Sequence, residues 1–229
     1  MGKNKFNLSV AMTMILYAIT TITIMVFNIR VYSLIAKSDD VSLTRFYGSK
    51  ALMVTVVILT VIFLAVTPLK INLKGLRPSR QIFTRQMKPS VVISVIVLLS
   101  FLGFRFYMQS KDPSIAEIPY FGLYLNMNTR WFYPVSIVLQ EIYIKLVVQD
   151  NFSEAFDRKH PHMTVWVTAF FFFIIHFQYP LYYMTGAMVL CMITGYLFEK
   201  YPSIWGPVLI HFVIGFLPRC LGILQIIER

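Results

Sequence analysis

Long apolar runs separated by short charged links dominate this sequence and limit what it can fold into. A helix needs about 20 apolar residues to cross the hydrocarbon core of a bilayer. Seven stretches approach that length: residues 8–31, 51–69, 90–107, 131–148, 164–179, 181–198 and 204–226. Only 14% of the residues are charged, whereas soluble domains carry about 25%. The sequence therefore predicts an all-α, polytopic transmembrane helical bundle of about seven spans, in the cell membrane.

The charged links predict an orientation and a partner. The net charge is +11, and the link at residues 70–88 carries six basic residues and no acid. By the positive-inside rule this link should be cytoplasmic, and its centre, residues 77–87, should be either a solvated loop or an amphipathic segment on the membrane surface. Anionic lipid headgroups explain such charges better than nucleic acid does, so the expected partner is the lipid bilayer.

Residues 138–149 (VLQEIYIKLVVQ) are an apolar stretch that contains ionisable groups. Glu141, Lys145 and Gln149 recur every four residues and share one face of a helix, while Gln140 lies about 100° away. Ionisable side chains within a membrane helix are costly and commonly functional. Two interpretations remain open: a structural ion pair between Glu141 and Lys145, or a carboxylate held for proton transfer or metal ligation.

Two histidines, His176 and His211, are the only ones in the predicted spans, and Glu141 is the only acid deep within one. Two imidazoles and a carboxylate can activate a water molecule directly, or they can hold a divalent metal such as zinc that does so. The residue types fit both, so the cofactor is either none or a divalent metal. The pair His160 and His162 is assigned to a solvated loop, because its spacing is not a known zinc pattern.

Three segments in the second half of the chain combine these polar residues with apolar ones: Gln140-Glu-Ile-Tyr-Ile-Lys145, Phe172-Phe-Ile-Ile-His176 and His211-Phe-Val-Ile-Gly215. They resemble the motifs of the CPBP family of intramembrane endopeptidases. The family pattern is EExxxR, FxxxH and HxxxN or HxxxD, and the family includes CAAX prenyl endopeptidases and bacteriocin-processing or immunity proteins. The resemblance covers about residues 131–222. It divides the chain into N-terminal transmembrane helices with the basic loop, residues 1–130, and a core that carries the motifs, residues 131–229.

The resemblance implies cleavage of a membrane-associated peptide or protein by water that Glu and His residues activate. Its catalytic positions are Glu141, His176, His211 and Gln140, and its supporting positions are Lys145, Phe172 and Gly215.

Three of these positions depart from the family pattern. Gln140 stands where the family has the glutamate that activates water, Lys145 replaces arginine, and Gly215 replaces the residue thought to help bind the oxyanion. An amide is not basic, so Glu141 would have to act instead. Since adjacent residues point in different directions, the helix would then have to rotate or deform. Two functions remain: an active intramembrane endopeptidase, or a catalytically silent scaffold or immunity protein that binds a partner.

Overall fold

The computed structural model describes residues 7–35, 41–119, 122, 127–177 and 179–227, which form helices and no strand. The α-helices are α1 Leu8–Ile35, α2 Val41–Val66, α3 Arg80–Lys111, α4 Met127–Glu141, α5 Asp150–Ala155, α6 Pro161–Ile174, α7 Leu181–Lys200, α8 Trp205–Cys220 and α9 Ile223–Ile227. A π-helical segment, Ile142–Gln149, joins α4 to α5, and short 3₁₀ turns occupy Leu73–Gly75 and Pro113–Glu117. The predicted all-α class is confirmed.

The hydropathy of these helices fits a membrane bundle. Within the described residues, three helices are long and apolar enough to cross a bilayer: Leu8–Asn28, Arg80–Lys111 and Leu181–Lys200. Three shorter apolar helices are Val54–Val66, Pro161–Ile174 and Trp205–Pro218. Every predicted apolar stretch overlaps a helix, while the count of seven spans stays a prediction.

The centre of the basic link is mostly helical and not a loop, while its position on the membrane surface stays a prediction. The hydroxyl of Ser79 accepts a hydrogen bond from the backbone N–H of Ile82 at 3.3 Å, and α3 begins at Arg80. Most of residues 77–87 therefore extend the same helix that continues into the apolar stretch. The charge pattern marked where the apolar run begins, whereas the N-capping serine decides where the helix begins.

The chain groups into two compact units, each made of two segments. The first unit is Met1–Ile71 with Val147–Met188, and the second is Asn72–Leu146 with Val189–Arg229. Neither follows the sequence division at residue 130, which stays a prediction about where the motifs lie.

Within the first unit, two polar contacts tie the helices together. The hydroxyl groups of Tyr17 on α1 and Thr60 on α2 are 2.6 Å apart. The Asn151 side chain accepts from the backbone N–H of Lys70 at 3.0 Å and donates to the carbonyl of Lys70 at 2.7 Å. It also donates to the carbonyl of Val147 at 2.7 Å. Asn151 thus fixes the link that follows α2 to α5, because its amide satisfies both the N–H and the carbonyl of Lys70.

Within the second unit, α3 fixes the start of α8. The buried Gln86 amide donates to the carbonyls of Tyr201 at 2.8 Å and Ser203 at 2.6 Å, and its oxygen accepts from the N–H of Gly206 at 3.0 Å. A Cβ at position 206 would lie 2.8 Å from Cγ of Gln86, closer than real side chains approach. Glycine at this position therefore permits the contact.

Further along α3, Arg105 fixes the opposite end of α8. Its side chain is fully buried. Its guanidinium donates to the carbonyl of Pro119 at 3.0 Å and to the carbonyls of Ile118 and Leu221. Leu221 directly follows α8, where the last carbonyl groups lack helical partners and the helix dipole favours a cation. Gln86 and Arg105 together set the position of α8 along α3.

Candidate functional site

The second unit brings Glu141 and His211 into direct contact. Glu141 is the last residue of α4, and His211 lies in the middle of α8. Oε1 of Glu141 is 2.7 Å from Nδ1 of His211, and the two residues are 2% and 6% exposed. With Glu141 ionised, the carboxylate can only accept, so Nδ1 carries the proton and donates it. Two of the three residues predicted to converge therefore do so.

The other oxygen of this carboxylate lacks a hydrogen-bond partner within the part of the chain that the structure describes. Oε2 of Glu141 is buried and makes no hydrogen bond among the described residues. Leaving a buried polar atom unsatisfied costs about 1–3 kcal/mol. Native proteins keep few such atoms, and each calls for an explanation such as a water molecule or a ligand. A water molecule on Oε2 would satisfy the carboxylate and place a reactant beside it.

A change of helix type begins directly after Glu141. The segment Ile142–Gln149 is π-helical, and π segments are rare and frequently found at functional sites. The ion pair between Glu141 and Lys145 stays a prediction, and the contacts that the structure shows for Lys145 are with α7. Nζ of the fully buried Lys145 lies 3.3 Å from the carbonyl oxygen of Cys191 and 3.7 Å from its sulfur.

Gln140 precedes Glu141 and is half-buried. His211 contacts Glu141, which follows Gln140 in the sequence. The carboxylate at the site therefore comes from the second position of the QE pair. Gln140 and Glu141 both lie on α4, and the helix changes type only after Glu141, so a rotation that brings Glu141 to the place of Gln140 stays a prediction. A hydrogen bond from Gln140 to the reacting groups stays a prediction.

The second motif has a local structural reason for its spacing. His176 lies in the turn that follows α6, in the first unit. Its Nδ1 is 2.7 Å from the carbonyl oxygen of Phe172, and the two rings pack edge to face with centroids 4.4 Å apart. Because the carbonyl can only accept, Nδ1 carries the proton and Nε2 is the acceptor nitrogen. A catalytic role of His176 beside Glu141 and His211 stays a prediction.

The third motif ends at a glycine that faces a tyrosine. Gly215 lies four residues after His211 on α8 and is half-buried. A Cβ at position 215 would overlap the hydroxyl of Tyr133 and would lie 3.6 Å from Cδ2 of His211. The Tyr133 hydroxyl therefore occupies the space that a side chain at position 215 would take. Tyr133 was not predicted from the sequence as a site residue. It lies seven residues before Gln140, so the two residues share one face of α4.

The described residues contain no group of three or more His, Cys, Asp or Glu side chains suited to a metal. Catalytic zinc sites use three protein ligands, whereas Glu141 and His211 supply two. These two residues alone do not fit a zinc site. A metal held jointly by Glu141, His176 and His211 stays a prediction.

Comparison with known proteins identifies the family. A family model described as type II CAAX prenyl endopeptidase Rce1-like matches residues 102–217, about half of the chain. The matched region contains Glu141, His176 and His211, together with Tyr133 and Gly215. No curated protein and no solved structure shows a significant match. The family match confirms the resemblance seen in the three motifs, and the chain belongs to the Rce1-like family of type II CAAX prenyl endopeptidases.

Proposed function

We propose that this protein is an intramembrane endopeptidase that cleaves a membrane-associated peptide with water activated by Glu141. The buried contact between Glu141 and His211 supports the proposal, together with Oε2 of Glu141, which has no hydrogen-bond partner among the residues that the structure describes. A structural carboxylate would gain stability if both oxygens were satisfied. The arrangement instead suits a general base whose second oxygen receives a proton.

Hydrolysis then follows from the groups in this unit. Oε2 of Glu141 accepts a proton from water while the water oxygen bonds to the scissile carbonyl carbon, and the carbonyl electrons move onto its oxygen. Nδ1 of His211 donates to Oε1 throughout and holds the carboxylate in one orientation. When the carbonyl re-forms, the C–N bond breaks and the leaving amine takes the proton from Glu141. The net change is peptide and water to carboxylic acid and amine, and Glu141 is regenerated.

The name of the matching family suggests the first substrate to test. A CAAX sequence is a C-terminal cysteine that is prenylated, followed by two aliphatic residues and a variable one. We propose a prenylated CAAX peptide presented in a bilayer as the probe, with the same peptide without the prenyl group as its comparison. Cleavage of the first alone would assign the substrate class, and cleavage of both would assign a broader membrane peptidase.

The test uses purified protein in lipid nanodiscs and the two peptides in fluorogenic form. We expect Glu141→Gln to lower kcat by a factor of about 100 or more, because a positioned base contributes about 10²–10⁴. Glu154→Gln is the matched control, since Glu154 is a surface carboxylate 3.7 Å from Nζ of Lys70. His211→Ala should also lose activity, whereas His160→Ala, at an exposed histidine, should not. Equal rates for Glu141→Gln and Glu154→Gln would contradict the proposal.

The second candidate is the catalytically silent membrane protein. It is favoured by Gln140, whose amide cannot act as a base, and by the glycine at position 215. This candidate predicts that the wild type cleaves neither peptide, with or without added divalent metal, and that Gln140→Glu does not create activity. Cleavage by the wild type that is lost in Glu141→Gln would exclude it.

A further inference from the structure

We propose that Tyr133 is a catalytic residue whose hydroxyl donates the hydrogen bond to the oxyanion, in place of the amide that Gly215 lacks. The inference rests on the proposed endopeptidase function and extends it with a residue outside the three motifs. It begins from the position of one atom, the Tyr133 hydroxyl oxygen, which fills the space beside Gly215.

The Tyr133 hydroxyl lies close to the reacting groups. The Cβ position of residue 215 overlaps the hydroxyl, is 3.3 Å from Cζ of Tyr133 and is 3.6 Å from Cδ2 of His211. Glu141 contacts the same imidazole at Nδ1. In the ring, Nδ1 and Cδ2 flank Cγ on opposite sides. The carboxylate therefore contacts the Nδ1 side of the imidazole, while the position-215 Cβ, which overlaps the hydroxyl, faces its Cδ2 side.

Tyrosine supplies the chemistry that the glycine cannot. A glycine has no side-chain donor, and the tetrahedral intermediate needs a donor aimed at its oxyanion. A phenolic O–H can donate such a bond, and tyrosine is among the side chains that form oxyanion holes. Tyr133 and Gly215 are both half-buried, whereas Glu141 and His211 are almost fully buried. A substrate carbonyl that reaches the site would therefore meet a donor on its accessible side.

An aromatic stack on α8 holds the tyrosine ring in place. The ring of Tyr133 stacks on Phe216 with centroids 6.1 Å apart and planes at 26°. Phe216 in turn stacks on Phe212 with centroids 4.8 Å apart and planes at 20°. A donor is effective when it is already oriented before the charge develops. The stack provides that orientation, and Gly215 provides the space for the hydroxyl.

The experiment measures kcat and KM for cleavage of the fluorogenic prenylated CAAX peptide in nanodiscs. The variants are Tyr133→Phe, Gly215→Asn and the double variant that carries both changes. Tyr201→Phe is the matched control, because it removes a hydroxyl from the same unit at a tyrosine outside the site. Each variant is also checked by its thermal unfolding midpoint, so that loss of folding is separated from loss of a donor.

Tyr133→Phe should lower kcat by a factor of about 100–1,000, the usual effect of losing one oxyanion donor. KM should stay unchanged, because the lost bond forms only in the transition state. Gly215→Asn alone should also be impaired, since its Cβ overlaps the tyrosine hydroxyl. The double variant removes that hydroxyl and adds an amide, leaving Cζ of the ring 3.3 Å from the new Cβ, and should recover at least about tenfold over Tyr133→Phe.

Three results would overturn the inference. A kcat for Tyr133→Phe within about threefold of Tyr201→Phe would show that the hydroxyl does not stabilise the transition state. A double variant no more active than Tyr133→Phe would show that a donor at this point does not serve the reaction. In both cases wild-type cleavage leaves the endopeptidase function standing. A wild type that cleaves neither peptide refutes the endopeptidase function, and the inference with it.

Discussion

Arg105 offers a direct test of how the structure holds α8, the helix that carries His211. We consider Arg105→Met, which keeps an unbranched apolar side chain of similar length and removes the guanidinium. The wild-type group is fully buried and donates to three backbone carbonyls, those of Ile118, Pro119 and Leu221. After the change these carbonyls have lost a charged donor in a buried setting.

The expected loss of stability follows from the number of hydrogen bonds that the guanidinium donates. A hydrogen bond to a charged group contributes about 1.5–3 kcal/mol, and a buried acceptor left without a partner costs about 1–3 kcal/mol. These contributions overlap, and removing one partner of a buried charged contact typically costs about 3–5 kcal/mol. For a chain of this size, each kcal/mol lowers the unfolding midpoint by about 2–4 °C. Arg105→Met should therefore lower the midpoint by about 10 °C, and Arg105→Lys by less, since an ammonium keeps the charge without the planar fork.

The two buried free cysteines make the assay simple. Cys191 and Cys220 are the only cysteines in the sequence, and both are buried. A thiol-reactive dye therefore gains fluorescence when the protein unfolds in detergent. Arg85→Met is the matched control, because Arg85 lies on the same helix and is exposed. Its midpoint should move by about 2 °C or less. If Arg105→Met moves no further than this control, the guanidinium does not fix the end of α8.

Two further predictions concern stability. Gly206→Ala should lower the unfolding midpoint, because the new Cβ would lie 2.8 Å from Cγ of Gln86 and would displace the amide that holds the start of α8. Gly103→Ala is its control on α3: no atom lies within 4 Å of that Cβ, so a gain of about 0.5–1 kcal/mol in helix stability is expected. Asn151→Asp should destabilise the first unit, because a carboxylate cannot donate to the carbonyl of Lys70 as the amide does at 2.7 Å. Dye-detected melting checks all three, and a midpoint for Gly206→Ala equal to that for Gly103→Ala would refute the close contact.

The sequence predicted the helical class well, because apolar length is a local property. Every predicted apolar stretch overlaps a helix, and the three motifs lie on or directly after helices. The sequence predicted that Glu141 and His211 would lie close together, but it could not predict their direct hydrogen bond. These residues are 70 positions apart, so their contact depends on how α4 packs on α8. The contact of Lys145 with the carbonyl of Cys191 was not predicted, because it joins residues 46 positions apart and depends on how the helices pack. Gln86 and Arg105 were missed because buried polar groups that bind backbone carbonyls leave no spacing pattern.

The pair Gly215 and Tyr133 changes how a departure from a family pattern is interpreted. Taken alone, a glycine at the oxyanion position indicates lost activity. In the structure, the space of the missing side chain holds a hydroxyl from another helix, and any Cβ at position 215 would overlap it. The Tyr133 hydroxyl can occupy this space only if residue 215 is a glycine. A single change at either position should therefore lower kcat, and the paired change should recover part of it. Glycine also makes room for a purely structural contact, as Gly206 does for Gln86, so the close fit alone does not separate an enzyme from a scaffold. The predicted recovery of kcat in the double variant does separate them, because a scaffold has no kcat to recover.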